Sequence, residues 1–168
     1  MAIQSKPNYL QVIDKYEALR EIAREVAHEQ LPMVMMNNKG ASVLRDTITL
    51  DGITNNCKKE LRRWEKSGTR RVAWNWDHVI KKYKSHPKRF ELSIWHKELF
   101  LCGATIGKPT CSGGKLRLDF IEASPIISPL SGLVVDIILT AGTAYARAIG
   151  ATELRIMHPV NEAVRKLY

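Results

Sequence analysis

The apolar stretch at residues 133–150 constrains the fold most. It reads LVVDIILTAGTAYARAIG, and its polar residues Asp136, Thr140, Thr143 and Arg147 follow one another at steps of four, three and four residues. On an α-helix these positions form one narrow polar stripe, and the remaining faces are apolar. A helix of this kind must be mostly buried. The chain therefore has to supply at least one further layer of structure for it to pack against.

Strand patterns flank this helix on both sides. The segment ELSIWHKELFLCGATIG has alternating apolar residues, a polar HKE turn and a dense apolar run, which predicts an antiparallel hairpin. The segment KLRLDFIE predicts a third strand, with Leu116, Leu118, Phe120 and Glu122 on one shared face. After the helix, ATELRIMHP predicts a strand and NEAVRKLY a final helix that begins near Asn161. The order is three strands, a helix, a strand and a helix.

The region before residue 90 is mainly helical in its pattern. Apolar residues at helical spacing predict an amphipathic helix over Tyr9–Gln30, a charged helix over residues 53–67 and a short helix over residues 74–83. Alternation predicts one strand over residues 43–50. We therefore expect an α/β protein with an N-terminal helical and basic region, residues 1–89, and a core, residues 90–168.

Composition excludes several classes of protein. The three cysteines include no C-x-x-C pair, so neither a disulfide framework nor a metal site is expected. No apolar stretch approaches the roughly 20 residues of a membrane span, and the first residues lack the order of a secretory signal. We expect a cytoplasmic protein without membrane contact. The net charge of +9 favours anionic partners.

Two segments of the sequence resemble the GNAT (GCN5-related N-acetyltransferase) superfamily. They are ELSIWHKELFLCGATIG, at the place of the family's central hairpin, and AYARAIGATELRIMHPVNEAVRKLY, in which a buried helix ends at a Gly turn before a strand, an Asn and a Tyr. The resemblance implies a mixed sheet flanked by helices. It also implies an acyl-CoA cofactor, most simply acetyl-CoA, and an amine acceptor that attacks directly in a ternary complex.

The resemblance also implies where the cofactor binds. The family places a Gly-rich turn, approximately Arg-x-x-Gly-x-Gly, before its buried helix, and this chain has Ser128-Pro129-Leu130-Ser131-Gly132 there. Backbone amides and hydroxyls at a helix start can hold phosphate. The cofactor-binding residues implied in this way are Ile121, Ala123, Ser128, Leu130, Ser131, Gly132 and Asn161.

The end of the chain differs from the family. Family members continue past the Tyr into a further strand pair, whereas this sequence stops at Tyr168. Three explanations stay open: a truncated sequence, a sheet completed by the N-terminal region, or a sheet completed by a partner chain, as in a homodimer.

Two residues are candidates for the chemistry. Acyl transfer to an amine requires an acceptor for the amine's proton and a proton for the departing thiolate. Glu122, at the end of the third strand, is the candidate acceptor, and the resemblance implies Tyr168 as the donor. Their structural alternatives are a strand-end carboxylate paired with Lys or Arg and an ordinary helix aromatic. For Asn161 the alternative is a helix cap.

The basic charge is concentrated in one segment. Twelve Lys or Arg residues and three acidic residues lie between positions 58 and 89. The candidates for contact with nucleic acid or an acidic macromolecule are Lys58, Lys59, Arg62, Arg63, Trp64, Arg70 and Arg71. The structural alternative is a solvated helix face with the tryptophans packed inward. The alternative function is thus a catalytically inactive GNAT-like protein that binds nucleic acid or a protein partner.

Overall fold

A computed structural model describes residue 6 and residues 8–157. In chain order its elements are α1 (Tyr9–Gln30), β1 (Val34–Met36), β2 (Ser42–Leu44), a 3-10 turn (Arg45–Thr47), β3 (Ile48–Asp51), α2 (Asn55–Glu65), α3 (Trp76–Tyr83), β4 (Phe90–His96), β5 (Phe100–Pro109), β6 (Lys115–Ala123), α4 (Val134–Ala148) and β7 (Glu153–Ile156). Helices α1, α2, α3 and α4 and the strands from residue 90 onward lie close to where the sequence predicts them, whereas the final helix predicted over NEAVRKLY lies outside the described residues. The single strand predicted over residues 43–50 is wrong, because the 3-10 turn divides it into β2 and β3.

Five strands form one mixed sheet in the order β3-β4-β5-β6-β7. The first three pairings are antiparallel and the last, between β6 and β7, is parallel, with α4 as the connection. Helices α1 and α4 cover one face of the sheet, and α2 and α3 cover the other. The predicted fold class, an α/β mixed sheet flanked by helices, is confirmed. Strand β3, from the N-terminal region, pairs with β4 and so belongs to the same sheet as the core.

Helix α4 packs its apolar faces against the sheet. Its residues Ile137, Ile138 and Tyr145 are buried against the sheet, whereas Asp136 and Arg147 of the polar stripe are exposed. The helix ends in a turn in which Gly150 has φ +79°, a conformation that favours glycine. The prediction of a buried helix with one solvated stripe is therefore confirmed.

A buried arginine attaches α1 to the rest of the fold. The guanidinium of Arg20 donates to the carbonyl oxygens of Pro87 and Arg89, at 2.8 and 2.9 Å, and pairs with Glu17 at 2.7 Å. Because each donated bond satisfies a carbonyl in the turn before β4, the helix fixes that turn as well as its own position.

A β-bulge divides β6 between the two layers. Leu118 pairs with Gly107, but the next pair is Phe120 with Ile106, so Asp119 is an extra residue in the strand. As a result, Leu116 and Leu118 lie in the core with α1 and α4, whereas Phe120 packs in the core with α2 and α3. The prediction that Leu116, Leu118, Phe120 and Glu122 share one face is wrong, since the extra residue shifts the alternation.

Gly107 is required opposite this bulge. A Cβ at position 107 would overlap the backbone carbonyl oxygen of Arg117, whereas a Cβ at Gly68 would have no heavy atom within 4 Å. Overpacking of this kind costs roughly 1 to 3 kcal/mol. Gly107→Ala is therefore expected to lower the melting temperature by several degrees, at about 2 to 4 °C per kcal/mol for a domain of this size. Thermal unfolding of both alanine variants checks this, and equal melting temperatures would contradict it.

Candidate active site

A cleft of about 530 Å³ opens at the end of β6. The parallel pairing with β7 runs as far as Leu118 and Ile156, and β6 continues to Ala123. The cleft is bounded by this last part of β6, by the loop that leads into α4 and by the first turn of α4. A long apolar helix with its start at the edge of a sheet thus produces a concave surface beside free strand backbone.

Most of the predicted cofactor-binding residues meet in this cleft. Those that line it are Ile121, Ala123, Ser128, Ser131 and Gly132. Leu130 is different: it is fully buried in the core, and its N–H donates to the Ser128 hydroxyl at 3.1 Å. Asn161 and Tyr168 lie outside the described residues. The sequence therefore identified five positions that the fold brings together.

The start of α4 provides donors for an anion. Leu133, at its N-cap position, makes no side-chain capping bond, and Val134 and Val135 of the first turn line the cleft. The first N–H groups of a helix have no partner within the helix and attract negative charge. Ser131 adds a hydroxyl, and Ile121, Ile126 and Ile156 provide apolar walls. This combination of amides, hydroxyl and apolar walls fits the diphosphate and pantetheine of an acyl-CoA.

Glu122 lies at the closed side of the cleft and is held by three hydrogen bonds. Its Oε1 accepts from the indole N–H of Trp76 at 2.7 Å and from Nη2 of Arg70 at 3.1 Å. Its Oε2 accepts from Nε of Arg70 at 3.1 Å. Glu122 is 6% exposed, so this is a buried, two-point ion pair. The carboxylate is buried, although not on the face that it was predicted to share with Leu116 and Leu118, and it has the arginine partner that the structural alternative describes.

The connection between α2 and α3 covers the end of β6. Besides the bonds of Arg70, the hydroxyl of Thr69 donates to the carbonyl of Pro125 at 2.6 Å. Arg71 follows, lines the cleft, and is exposed without an ion pair in the part of the chain that the structure describes. The basic segment thus contributes one wall of the cleft, which the sequence analysis did not anticipate.

The structure separates the predicted nucleic-acid residues into three groups. Trp64 is 5% exposed and packs in the core with Trp76, so it is not a surface ring, and Arg70 is bound to Glu122. Arg62 and Arg63 are exposed but paired with acids within 3.1 Å. Lys58, Lys59 and Arg71 form no ion pair among the described residues. The inward packing of the tryptophans corrects the expectation that Trp64 stacks on bases.

Cys102 also lines the cleft. Its side chain is buried and donates to the carbonyl of Phe100 at 3.5 Å. Burial raises the pKa of this thiol. A thiol in this state is protonated near neutral pH and is a poor nucleophile.

None of the helices in the described part of the chain combines the length and the hydrophobicity that a membrane span requires. Over the same part of the chain, no three His, Cys, Asp or Glu residues are grouped so that they could hold a metal ion.

Comparison with known proteins gives likenesses of fold. No protein-family model and no curated protein matches the chain. Among solved structures, a ribosomal-protein-alanine N-acetyltransferase from Brucella melitensis biovar Abortus is 19% identical, over 72% of this chain and 87% of that one, with a TM-score of 0.48. Each of the three solved structures reported is named as an acetyltransferase.

Two further solved structures match a smaller part of this chain. Nourseothricin acetyltransferase is 22% identical over 49% of this chain, with a TM-score of 0.40, and this chain spans about half (48%) of it. A mutant spermidine N-acetyltransferase from Vibrio cholerae is 12% identical, over 60% of this chain and 63% of that one, with a TM-score of 0.42. These likenesses concern the fold alone.

The ion pair at Glu122 is expected to be a major contribution to stability. Glu122→Ala leaves the buried Arg70 guanidinium without its partner, which costs about 3 to 5 kcal/mol. Asp77→Ala removes the partner of the exposed Arg62 and is the matched control, with a much smaller expected loss because solvent screens an exposed ion pair. Urea unfolding of both variants measures the difference. Equal losses of unfolding free energy would show that the pair does not hold the cleft together.

Proposed function

We propose that the protein is an acyl-CoA-dependent N-acyltransferase that transfers an acetyl group from acetyl-CoA to an amine. The observation that carries this proposal is the position of the five predicted cofactor-binding residues. They line one cleft at the uncapped start of α4, and the buried carboxylate of Glu122 lies beside them. The resemblance to the GNAT superfamily implies the same reaction for this arrangement.

We assign the two ends of the cofactor to different parts of the cleft. The amides of the first turn of α4 and the Ser131 hydroxyl suit the diphosphate, because both donate to an anion at a positive helix end. The backbone of Ile121 and Ala123 suits the pantetheine, since β6 extends past its pairing with β7 at this point. This orientation directs the thioester towards Glu122.

The acyl-CoA supplies a thioester, at which the amine nitrogen forms the new C–N bond while the C–S bond breaks. The nitrogen then has one proton to lose, and the sulfur has one to gain. Glu122 is the proposed acceptor of the first, directly or through water, with Arg70 and Trp76 as positioning residues that fix its two oxygens. Tyr168, outside the described residues, is the proposed donor of the second, by resemblance.

Direct attack by the amine agrees with the chemistry of the cleft. A covalent acyl-enzyme would require an activated nucleophile. Cys102 lines the cleft, but burial raises the pKa of its thiol and keeps it protonated. We therefore place both substrates in the cleft at once.

Acetyl-CoA is expected to raise the melting temperature of the protein, because a ligand that binds only the native state stabilises it. At 100 times the dissociation constant the gain is about 2.7 kcal/mol, which corresponds to a shift of roughly 5 to 11 °C. Calorimetric titration of the same protein gives the dissociation constant. If neither a shift nor heat of binding is observed at millimolar acetyl-CoA, the proposed function is wrong.

The two proposed proton carriers are tested once binding is established. Glu122→Gln and Tyr168→Phe are expected to lower turnover by roughly 10²- to 10⁴-fold, because each removes a proton carrier used in the transition state. The dissociation constant of acetyl-CoA should change by only a few fold. The exposed residues Glu25 and Tyr9 give the matched controls Glu25→Gln and Tyr9→Phe. Unchanged turnover in either test variant removes that residue from the mechanism.

We propose separately that the exposed lysines of the basic segment contact an anionic macromolecule such as RNA. Lys59, Lys66, Lys81 and Lys82 are exposed and form no ion pair among the described residues. Binding should weaken steeply with salt, because each paired phosphate releases counterions. Charge reversal at Lys81 and Lys82 should flatten that dependence, whereas reversal at Lys15 on α1 should not. A salt slope that is the same in all three proteins would contradict this role.

A further inference from the structure

The hairpin formed by β1 and β2 lies outside the five-stranded sheet, and its turn contacts the loop before α4. The side-chain amide of Asn37 donates to the carbonyl of Pro129 at 3.0 Å, and the N–H of Asn38 donates to the carbonyl of Ser131 at 2.9 Å. Gly132 has φ +86°, and a Cβ there would lie 2.9 Å from Cβ of Asn38. The hairpin turn and the loop therefore form one packed unit.

The turn itself is held in a single conformation. The side-chain oxygen of Asn37 accepts from the N–H groups of Lys39 and Ala41, at 3.0 and 2.9 Å. The N–H of Asn37 also donates to the carbonyl of Ala41 at 2.9 Å, and Gly40 takes the φ of +78° that closes the turn. The turn thus fixes the backbone of the tip, and the Asn37 side chain and the Asn38 N–H join it to the loop before α4.

This arrangement leaves one polar side chain of the tip free at the cleft. Asn38 lines the cleft, and its side-chain amide makes no hydrogen bond within the described residues. Lys39 is the next residue of the tip, is exposed, and forms no ion pair in the same part of the chain. The tip therefore presents an amide donor at the cleft and carries an unpaired ammonium group on the following residue.

The loop alone is a poor phosphate site. Pro129 has no N–H, and the N–H of Leu130 is already bound to the Ser128 hydroxyl. The loop residues 128–132 also include no cation, whereas charge-assisted hydrogen bonds to phosphate are about twice as strong as neutral ones. Arg71 lines the cleft as an exposed cation, and Lys39 is a second cation, next to Asn38 on the hairpin that is bonded to this loop.

We propose that the tip of the β1–β2 hairpin is part of the cofactor site, where the Asn38 amide and the Lys39 ammonium bind phosphate groups of the acyl-CoA. The inference rests on the proposed function. It assigns a role to residues 37–41, which precede the segment that resembles the GNAT superfamily. The hairpin would add an amide donor and a second cation to the Ser131 hydroxyl and Arg71, which line the cleft.

The test compares a ligand with phosphates and a ligand without them. Dissociation constants of acetyl-CoA and of S-acetylpantetheine, which carries no phosphate, are measured by calorimetry for the wild type, Asn38→Ala, Lys39→Ala and Lys39→Arg. Alanine at position 38 keeps the Cβ that packs on Gly132 and the N–H that bonds to Ser131. Lys15→Ala, on α1, is the matched control for the loss of one exposed lysine. Melting temperatures without ligand verify that each variant is folded.

We expect Lys39→Ala to raise the dissociation constant of acetyl-CoA about tenfold, as for the loss of one charge-assisted hydrogen bond. We expect Asn38→Ala to raise it several fold, as for the loss of one neutral hydrogen bond. Lys39→Arg should retain most of the affinity, and S-acetylpantetheine should bind all folded variants equally. Acetyl-CoA affinity within twofold of wild type in both alanine variants would overturn the inference. Equal losses for both ligands would also overturn it, because the hairpin would then act only through the shape of the cleft. If wild-type protein binds no acetyl-CoA, the proposed function fails and the inference fails with it.

Discussion

The extra residue in β6 determines which layer each later side chain of that strand faces. Leu116 and Leu118, which precede Asp119, pack in the core with α1 and α4. Phe120, which follows Asp119, packs with α2 and α3. The bulge is held by its own contacts, since Asp119 accepts from the hydroxyl of Tyr83 and lies near Arg117. Without this shift Glu122 would face the other layer, away from Arg70.

The hydrogen bonds of Glu122 have a structural role in the cleft and a role in its proposed chemistry. Arg70 and Trp76 come from the basic segment, and their bonds to Glu122 fasten that segment over the end of β6. The same bonds orient a carboxylate at the cleft, where the proposed mechanism requires a proton acceptor. One interaction thus shapes the wall of the cleft and positions its candidate catalytic group. The hairpin tip has the corresponding role at the other end, where it is fastened to the loop before α4.

Periodicity predicted the structural features that depend on residues close together in the sequence. The polar stripe of α4 and the order of elements after residue 90 were readable because helix and strand burial repeat at fixed spacings. The sheet face of Glu122 could not be predicted from periodicity, because a single bulge reverses the alternation and Asp119 carries no local signal of a bulge. The Arg70 partner and the docking of Asn38 join residues that are 52 and 93 positions apart. Charge counting likewise assigned Arg70 and Trp64 to the surface, although folding buries both.

The proposed function depends most on an acyl-CoA site at the start of α4 and in the loop that precedes it. Amide hydrogen exchange with and without saturating acetyl-CoA tests that claim directly, because it reports on these backbone N–H groups themselves. The account predicts slower exchange in residues 128–137 and in the hairpin tip, with unchanged exchange in the middle of α1. Exchange at the ligand-free rate in residues 128–137, under conditions where acetyl-CoA is bound, would contradict it.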